Sequence, residues 1–335
     1  MRPRTALLTA LLAAILGALA LTPIAFAGGS GGGPIVTHEL DPGPEPLTRT
    51  EMRRAAPLPL PMRSGSPSSG GEARSAGGKP GLVEGYLPPD LAVATATRRA
   101  GASARGFGTF TSRAVVDPVA YPNSTNGKVF GAIPGVGAFT CSASVVHARN
   151  KSTLFTAGHC VKEPRGNFVS SLTFVPAYSE GVEPFGRWEA REVAVKRAWA
   201  RQGNSNFDYA TVVVEPSAAG NVEDVVGSQG FAYNMKPKKK TFRAVGYPYN
   251  KFDTEVMWEC IDRFAGYDPG YVGPGPKPIG IGCDMLGGAS GGGWTLPGAY
   301  LNSVTSFGYD SLPNALFGPF FNKAAEKLRK QAGRS

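Results

Sequence analysis

The sequence predicts an all-β domain closed by one C-terminal helix and preceded by a leader with no core of its own. Three observations predict it. From about residue 106 the chain is a series of short β-branched or alternating runs broken by Gly, Pro and Asn. That spacing suits an antiparallel barrel or sandwich, not a βαβ repeat. Helical spacing of apolar residues stands out only over residues 320–331. Residues 28–105 are rich in Gly, Pro, Ser and Ala and poor in large apolar side chains.

The start of the chain reads as a targeting segment. Residues 1–4 are basic and residues 5–26 almost entirely apolar. Ala25-Phe26-Ala27 supplies small residues at cleavage spacing, so residues 1–27 read as a secretory signal peptide cut after Ala27. The apolar run is long enough to cross a bilayer, and an uncleaved anchor is the alternative; the small-residue site abutting the run favours cleavage. No stable membrane insertion is expected afterwards, and no cysteine follows Ala27 to carry a lipid.

Residues 28–105 read as a mostly disordered pro-segment or spacer, because they cannot bury enough surface to offset the entropy of ordering. Residues 28–33 are linker-like, while Leu58-Pro59-Leu60-Pro61 and Pro88-Pro89 favour extended backbone. Residues 81–93 are the stretch expected to dock on the following domain. That domain takes in residues 106–335. Its strands are expected at 139–147, 153–156, 172–175, 192–195, 210–214, 241–245, 255–261 and 302–307. The helix over 320–331 places Phe321, Ala324, Ala325 and Leu328 on one face. Its basic last turns suit a helix C-terminus.

One stretch carries the chemistry. In residues 282–294 a single serine, Ser290, sits among glycines, with Cys283, Met285 and Leu286 before it and Trp294 after it. Gly-Ser tracts are usually flexible linkers, but these apolar flanks want burial. A glycine-built turn can aim successive N–H groups at one point. A serine hydroxyl needs a base, and the base an orienting carboxylate. Of the three histidines, His38 lies in the leader and His147 ends a predicted strand, as a half-buried packing residue does. His159 follows an apolar strand in a Gly-containing turn beside Cys160. Among Asp208, Asp224, Asp253, Asp262 and Asp268, only Asp208 immediately precedes a strong strand, at 210–214.

Thr156-Ala157-Gly158-His159-Cys160, Asp208-Tyr209-Ala210 and Gly287-Gly288-Ala289-Ser290-Gly291-Gly292 resemble the three motifs of the chymotrypsin-like serine proteases. The likeness is to the secreted bacterial branch that includes the glutamyl endopeptidases. The order His, Asp, Ser matches as well, and the resemblance covers roughly residues 110–325. It implies two six-stranded antiparallel barrels with a C-terminal helix, a polypeptide substrate, no cofactor and a working monomer. It also implies that Ser290 attacks, His159 moves the proton and Asp208 fixes the imidazole. The N–H groups of Gly288 and Ser290 would receive the oxyanion. An esterase with the same triad and a catalytically silent binding module on this fold are the rival readings.

The match has departures. Ala289 stands where vertebrate-type members carry an activating aspartate, so leader removal would act by unblocking the cleft. Gly293 replaces a frequent proline, which would loosen the loop. Ser306-Phe307-Gly308 resembles the segment that lines the primary pocket and pairs with substrate backbone. Thr305 replaces the histidine with which glutamyl endopeptidases read glutamate. Asp284, six residues before Ser290, is either the acid of a pocket for basic residues or a structural acid.

The four cysteines, Cys141, Cys160, Cys260 and Cys283, suggest two disulfides in an exported chain, with three pairings formally open. Pairing by sequence proximity gives Cys141–Cys160, as in the family, and Cys260–Cys283. Zinc is a poor rival: no Cys-x-x-Cys spacing occurs, and no metal-binding cluster is visible. The net charge is +10 and Lys236-Pro237-Lys238-Lys239-Lys240 is the densest basic run. No aromatics interleave with those lysines, so nucleic acid is not expected. A solvated hairpin face is the preferred reading, with contact to anionic cell-wall polymer as its functional alternative.

Overall fold

The computed structural model describes residues 33–40, 47–64, 78–93, 112–271 and 273–335. The predicted signal peptide, the cut after Ala27 and nearly all of the linker at 28–33 lie outside them.

The β-branched runs of the first half close on themselves. Strands Asn126–Ile133, Gly137–Val145, Thr153–Thr156, Ala210–Val214, Trp188–Lys196 and Ser171–Pro176 are successive antiparallel neighbours. Ser171–Pro176 returns to pair with Asn126–Ile133 and completes a six-stranded barrel. Val129, Cys141, Leu154, Phe174, Trp188 and Val212 fill its interior and are essentially unexposed. The second half forms two further sheets. One contains Gly230–Tyr233, Tyr300–Val304, Gly293–Leu296, Thr241–Gly246 and Trp258–Arg263; the other contains Gly266–Tyr267, Ile279–Gly282, Leu312–Gly318 and Phe307–Tyr309. Phe242, Ala244, Trp294, Ile281 and Leu316 meet between them in one core.

The predicted strands are present, with shifted ends. The stretch 302–307 is broken at Thr305–Ser306 between Tyr300–Val304 and Phe307–Tyr309. Asn126–Ile133, Gly230–Tyr233, Ile279–Gly282, Gly293–Leu296 and Leu312–Gly318 escaped the sequence reading. Each contains glycine, which reads as a strand breaker. Gly293 therefore opens a strand, paired with Val304, instead of loosening a loop. The lysine run 236–240 is likewise not a hairpin: it links Gly230–Tyr233 to Thr241–Gly246, which are not neighbours in their sheet.

The C-terminal helix spans Lys323–Ala332, starting after 320 because Asn322 caps it, its side chain accepting the Ala324 N–H at 2.8 Å. Phe321, at its threshold, packs against Phe155, Tyr209 and Phe231 at ring separations of 5.3–5.5 Å. Both proximity-paired disulfides, Cys141–Cys160 and Cys260–Cys283, are present.

Residues 28–105 contain more structure than composition suggests. Ile35–Glu39 adds a strand to Trp188–Lys196, and its His38 stacks on Phe168 at 4.6 Å. Arg49–Arg54 is a helix with a Thr48/Glu51 capping box. Gly81–Val83 pairs with Gly230–Tyr233, within the stretch expected to dock. None of these segments needs its own core, because the two strands borrow backbone partners from the domain and the helix buries Met52 in a cluster with Phe130 and Tyr178. Among the described residues no helix is long and apolar enough to cross a membrane.

Candidate active site

The histidine and the aspartate meet because antiparallel neighbours deliver them. Thr156 ends one strand and is in register with Ala210, which begins the next. His159 follows the first and Asp208 precedes the second, so both emerge at one edge of the barrel. The Cys141–Cys160 disulfide ties the turn Gly158–Cys160 to the adjoining strand.

Asp208 is 1% exposed, and a buried carboxylate is costly unless hydrogen-bonded. Here it takes three bonds. Oδ1 accepts the His159 backbone N–H at 2.8 Å, Oδ2 faces His159 Nδ1 at 2.8 Å, and Oδ2 accepts the Ser306 hydroxyl at 2.6 Å. A carboxylate at Nδ1 holds the proton there and leaves Nε2 as an acceptor.

Ser290 stands on a loop fixed at several points. Ala289 N–H closes on Leu286 O and Gly292 N–H on Ala289 O, while Gly291 N–H reaches Thr305 O. The Ser290 carbonyl accepts the Ser142 N–H at 2.8 Å, fastening the loop to the strand of Cys141. Gly288 and Gly291 have φ of +85° and +78°, and a Cβ at either would collide with Tyr247 O or Thr156 Oγ1. Ser290 Oγ and His159 Nε2 are both buried without a bonded partner among the described residues.

A leader segment crosses this site. Ala56–Pro57 pairs in parallel with Phe139 and Thr140, and Leu58 N–H donates to Thr140 O at 3.0 Å. Gly288 N–H, one of the expected oxyanion donors, donates to Leu58 O at 3.0 Å. Ser290 N–H, the other, has no acceptor among the described residues. Leu60 is buried in the core of the second half. Gly308 N–H then donates to Pro61 O at 3.0 Å, and Met62–Arg63 runs parallel to Gly308 and Tyr309.

The expected pocket residues divide. Gly308 pairs with peptide backbone. Phe307 is buried and stacks on Phe317. Ser306 spends its hydroxyl on Asp208, a role the Ser-Phe-Gly spelling could have suggested. Thr305 Oγ1 accepts from Trp294 Nε1 at 2.9 Å, bracing the loop from behind. Asp284 gives Oδ1 to Ser112 N–H and Oδ2 to Lys251 Nζ, each at 2.7 Å. Burial alone would raise its pKa, but the Lys251 ammonium and the Ser112 N–H outweigh it and hold the carboxyl below its ordinary range. These partners fit the structural alternative of the two readings of Asp284. His147, half-buried, bonds Glu223 at 2.6 Å. The ligand atoms of Cys141, His159 and Cys160 lie within 4.8 Å of one another, but both sulfurs are spent in the disulfide.

No protein-family model matches the chain. The protease Anisep from Arthrobacter nicotinovorans is 33% identical, with 63% of this chain and 96% of that one covered and a TM-score of 0.58. The thermostable serine protease AL20 from an extremophilic microorganism is 35% identical over 63% and 98%, with a TM-score of 0.59. A Glu endopeptidase solved in complex with MPD shares the fold, at 17% identity over 70% and 100% and a TM-score of 0.56. The extracellular metalloprotease of Bacillus subtilis (strain 168) is 25% identical over 153 residues, 44% of this chain. The chain spans 42% of that relative's length.

Proposed function

This chain belongs to the chymotrypsin-like serine proteases, in the bacterial branch related to the glutamyl endopeptidases, and from that premise we propose that it is a secreted serine endopeptidase made as a precursor. The observation that carries the reading is the triply bonded Asp208 carboxylate behind His159, with the Ser290 carbonyl 3.6 Å from Sγ of the neighbouring Cys160. His159 Nε2 takes the Ser290 proton as Oγ attacks the scissile carbonyl. Asp208 stabilises the imidazolium, and Ser306 and the His159 N–H keep that carboxylate oriented. The Gly288 and Ser290 N–H groups receive the oxyanion. The imidazolium then protonates the leaving amine, and water repeats the sequence on the acyl-enzyme.

In the precursor, Leu58 O occupies the Gly288 donor, so the leader must leave before substrate binds. Backbone pairing of a peptide segment with Thr140 and Gly308 favours a polypeptide substrate over a simple ester. The disulfides suit an oxidising extracellular setting. A fluorophosphonate probe combined with a peptide library tests the reading. Labelling with peptide turnover is expected. Labelling with ester turnover alone favours an esterase, and absence of labelling after leader removal favours a binding module.

A further inference from the structure

The leader delivers a single arginine into a polar pocket built wholly by the domain. Arg63 Nη1 donates to Asp268 Oδ2 at 2.7 Å and to Tyr309 OH at 3.1 Å, and Nη2 bonds Ser205 Oγ. The guanidinium lies over the Phe307 ring, 3.9 Å from its centroid. The Asp268 side chain is 1% exposed, against 29% for Arg63. Oδ1 of Asp268 is already committed, accepting from Tyr309 OH at 2.5 Å and Gly270 N–H at 3.0 Å. That arrangement leaves Oδ2 directed at the arginine.

The backbone around the pocket is also arranged for a peptide. Gly308 N–H donates to Pro61 O, and Asp310 N–H to Arg63 O at 3.2 Å. Ser205 belongs to the turn Ser205–Phe207 that leads directly into Asp208, so the pocket adjoins the catalytic edge. Asp268 is buried while Arg63 covers it; when the leader departs, its Oδ2 loses that cation and faces the vacated pocket, held in place by the Tyr309 and Gly270 bonds to Oδ1. A substrate arginine restores the cation.

We propose that Asp268, Phe307, Tyr309 and Ser205 form a substrate subsite for an arginine side chain, on the acyl side of the cleaved bond, which Arg63 fills in the precursor. The proposal rests on the endopeptidase reading and names a substrate preference within it. Arginine is favoured over lysine because the planar guanidinium stacks on Phe307 while reaching three acceptors. The competing account is that Arg63–Asp268 merely anchors the leader.

The test folds the full chain, clips its leader by limited proteolysis, and profiles cleavage of peptides carrying arginine, lysine or uncharged citrulline at each position before the cut. One position is expected to favour arginine over citrulline by at least about tenfold in kcat/KM. Asp268→Asn should bring that ratio close to one. A ratio near one at every position in the wild type overturns the subsite, as does a ratio that Asp268→Asn leaves intact. If Asp268→Asn does not fold, the wild-type arginine-to-citrulline ratio decides. If no peptide is cleaved, the endopeptidase reading fails, and binding decides the subsite separately. Full-chain Arg63→Ala, whose pocket is vacated, is then titrated with acetyl-arginine amide. Binding at least about tenfold tighter than the citrulline analogue supports the subsite; equal or no binding overturns it.

Discussion

The carbonyl oxygen of Leu58 accepts the backbone N–H of Gly288 at 3.0 Å, so the leader holds one of the two donors proposed for the oxyanion. Leu60, 6% exposed, anchors the same segment in the core of the second half. A charge at that buried position costs several kcal/mol. Leu60→Asp is therefore expected to release the leader and raise full-chain peptidase activity by roughly tenfold or more. Activity of the unprocessed variant, with N-terminal sequencing to exclude clipping, checks this; an unchanged rate contradicts it.

Ser290→Ala is expected to lower kcat by about 10⁶, as loss of a triad nucleophile does. Ser290 Oγ has no bonded partner to lose, so the thermal midpoint should move little. Hydrolysis assays and a melting curve on the same preparation separate the two effects.

Ser306→Ala removes one of the three bonds to Asp208. A hydrogen bond to a charged group contributes about 1.5–3 kcal/mol. If that reaches the transition state, kcat falls roughly ten- to hundredfold, with KM less affected. Equal losses in kcat and stability alone, recovered by cooling, would point to a folding role instead.

Asp284 is expected to govern stability, not specificity. Its carboxyl is held below the ordinary value of 3.8, against burial, by Lys251 and Ser112. A lowered folded-state pKa contributes stability above the unfolded value and loses it as pH falls through the folded value. The urea midpoint gap between wild type and Asp284→Ser should therefore be full at neutral pH and shrink below about pH 3.8. The cleavage profile should stay the same, and cleavage after glutamate should be poor in both proteins because Thr305 stands in place of the histidine.

The expected strands and the meeting of His159 with Asp208 were legible because each leaves a local mark: β-branched runs, a cysteine beside a histidine, an aspartate directly before a strand. Strand Asn126–Ile133 was not, since its two glycines are tolerated only because Phe139 and Phe174 pack directly over them. The ordered leader was missed for a related reason. Leu58, Leu60 and Arg63 find all their partners in the domain, and composition sees only the segment's own poverty in apolar side chains. Asp268 looked like one loop aspartate among several until Tyr309 and Arg63 were brought to it across the fold.

The central claim is that Ser290 is the nucleophile of a protease whose leader blocks the cleft. Fluorophosphonate labelling of the full chain before and after leader removal, with the modified residue located by peptide mapping, tests it most directly. Weak labelling of the intact chain is predicted, rising to stoichiometric labelling at Ser290 once the leader is gone, together with peptide turnover. Labelling at another serine, or none after leader removal, would contradict it.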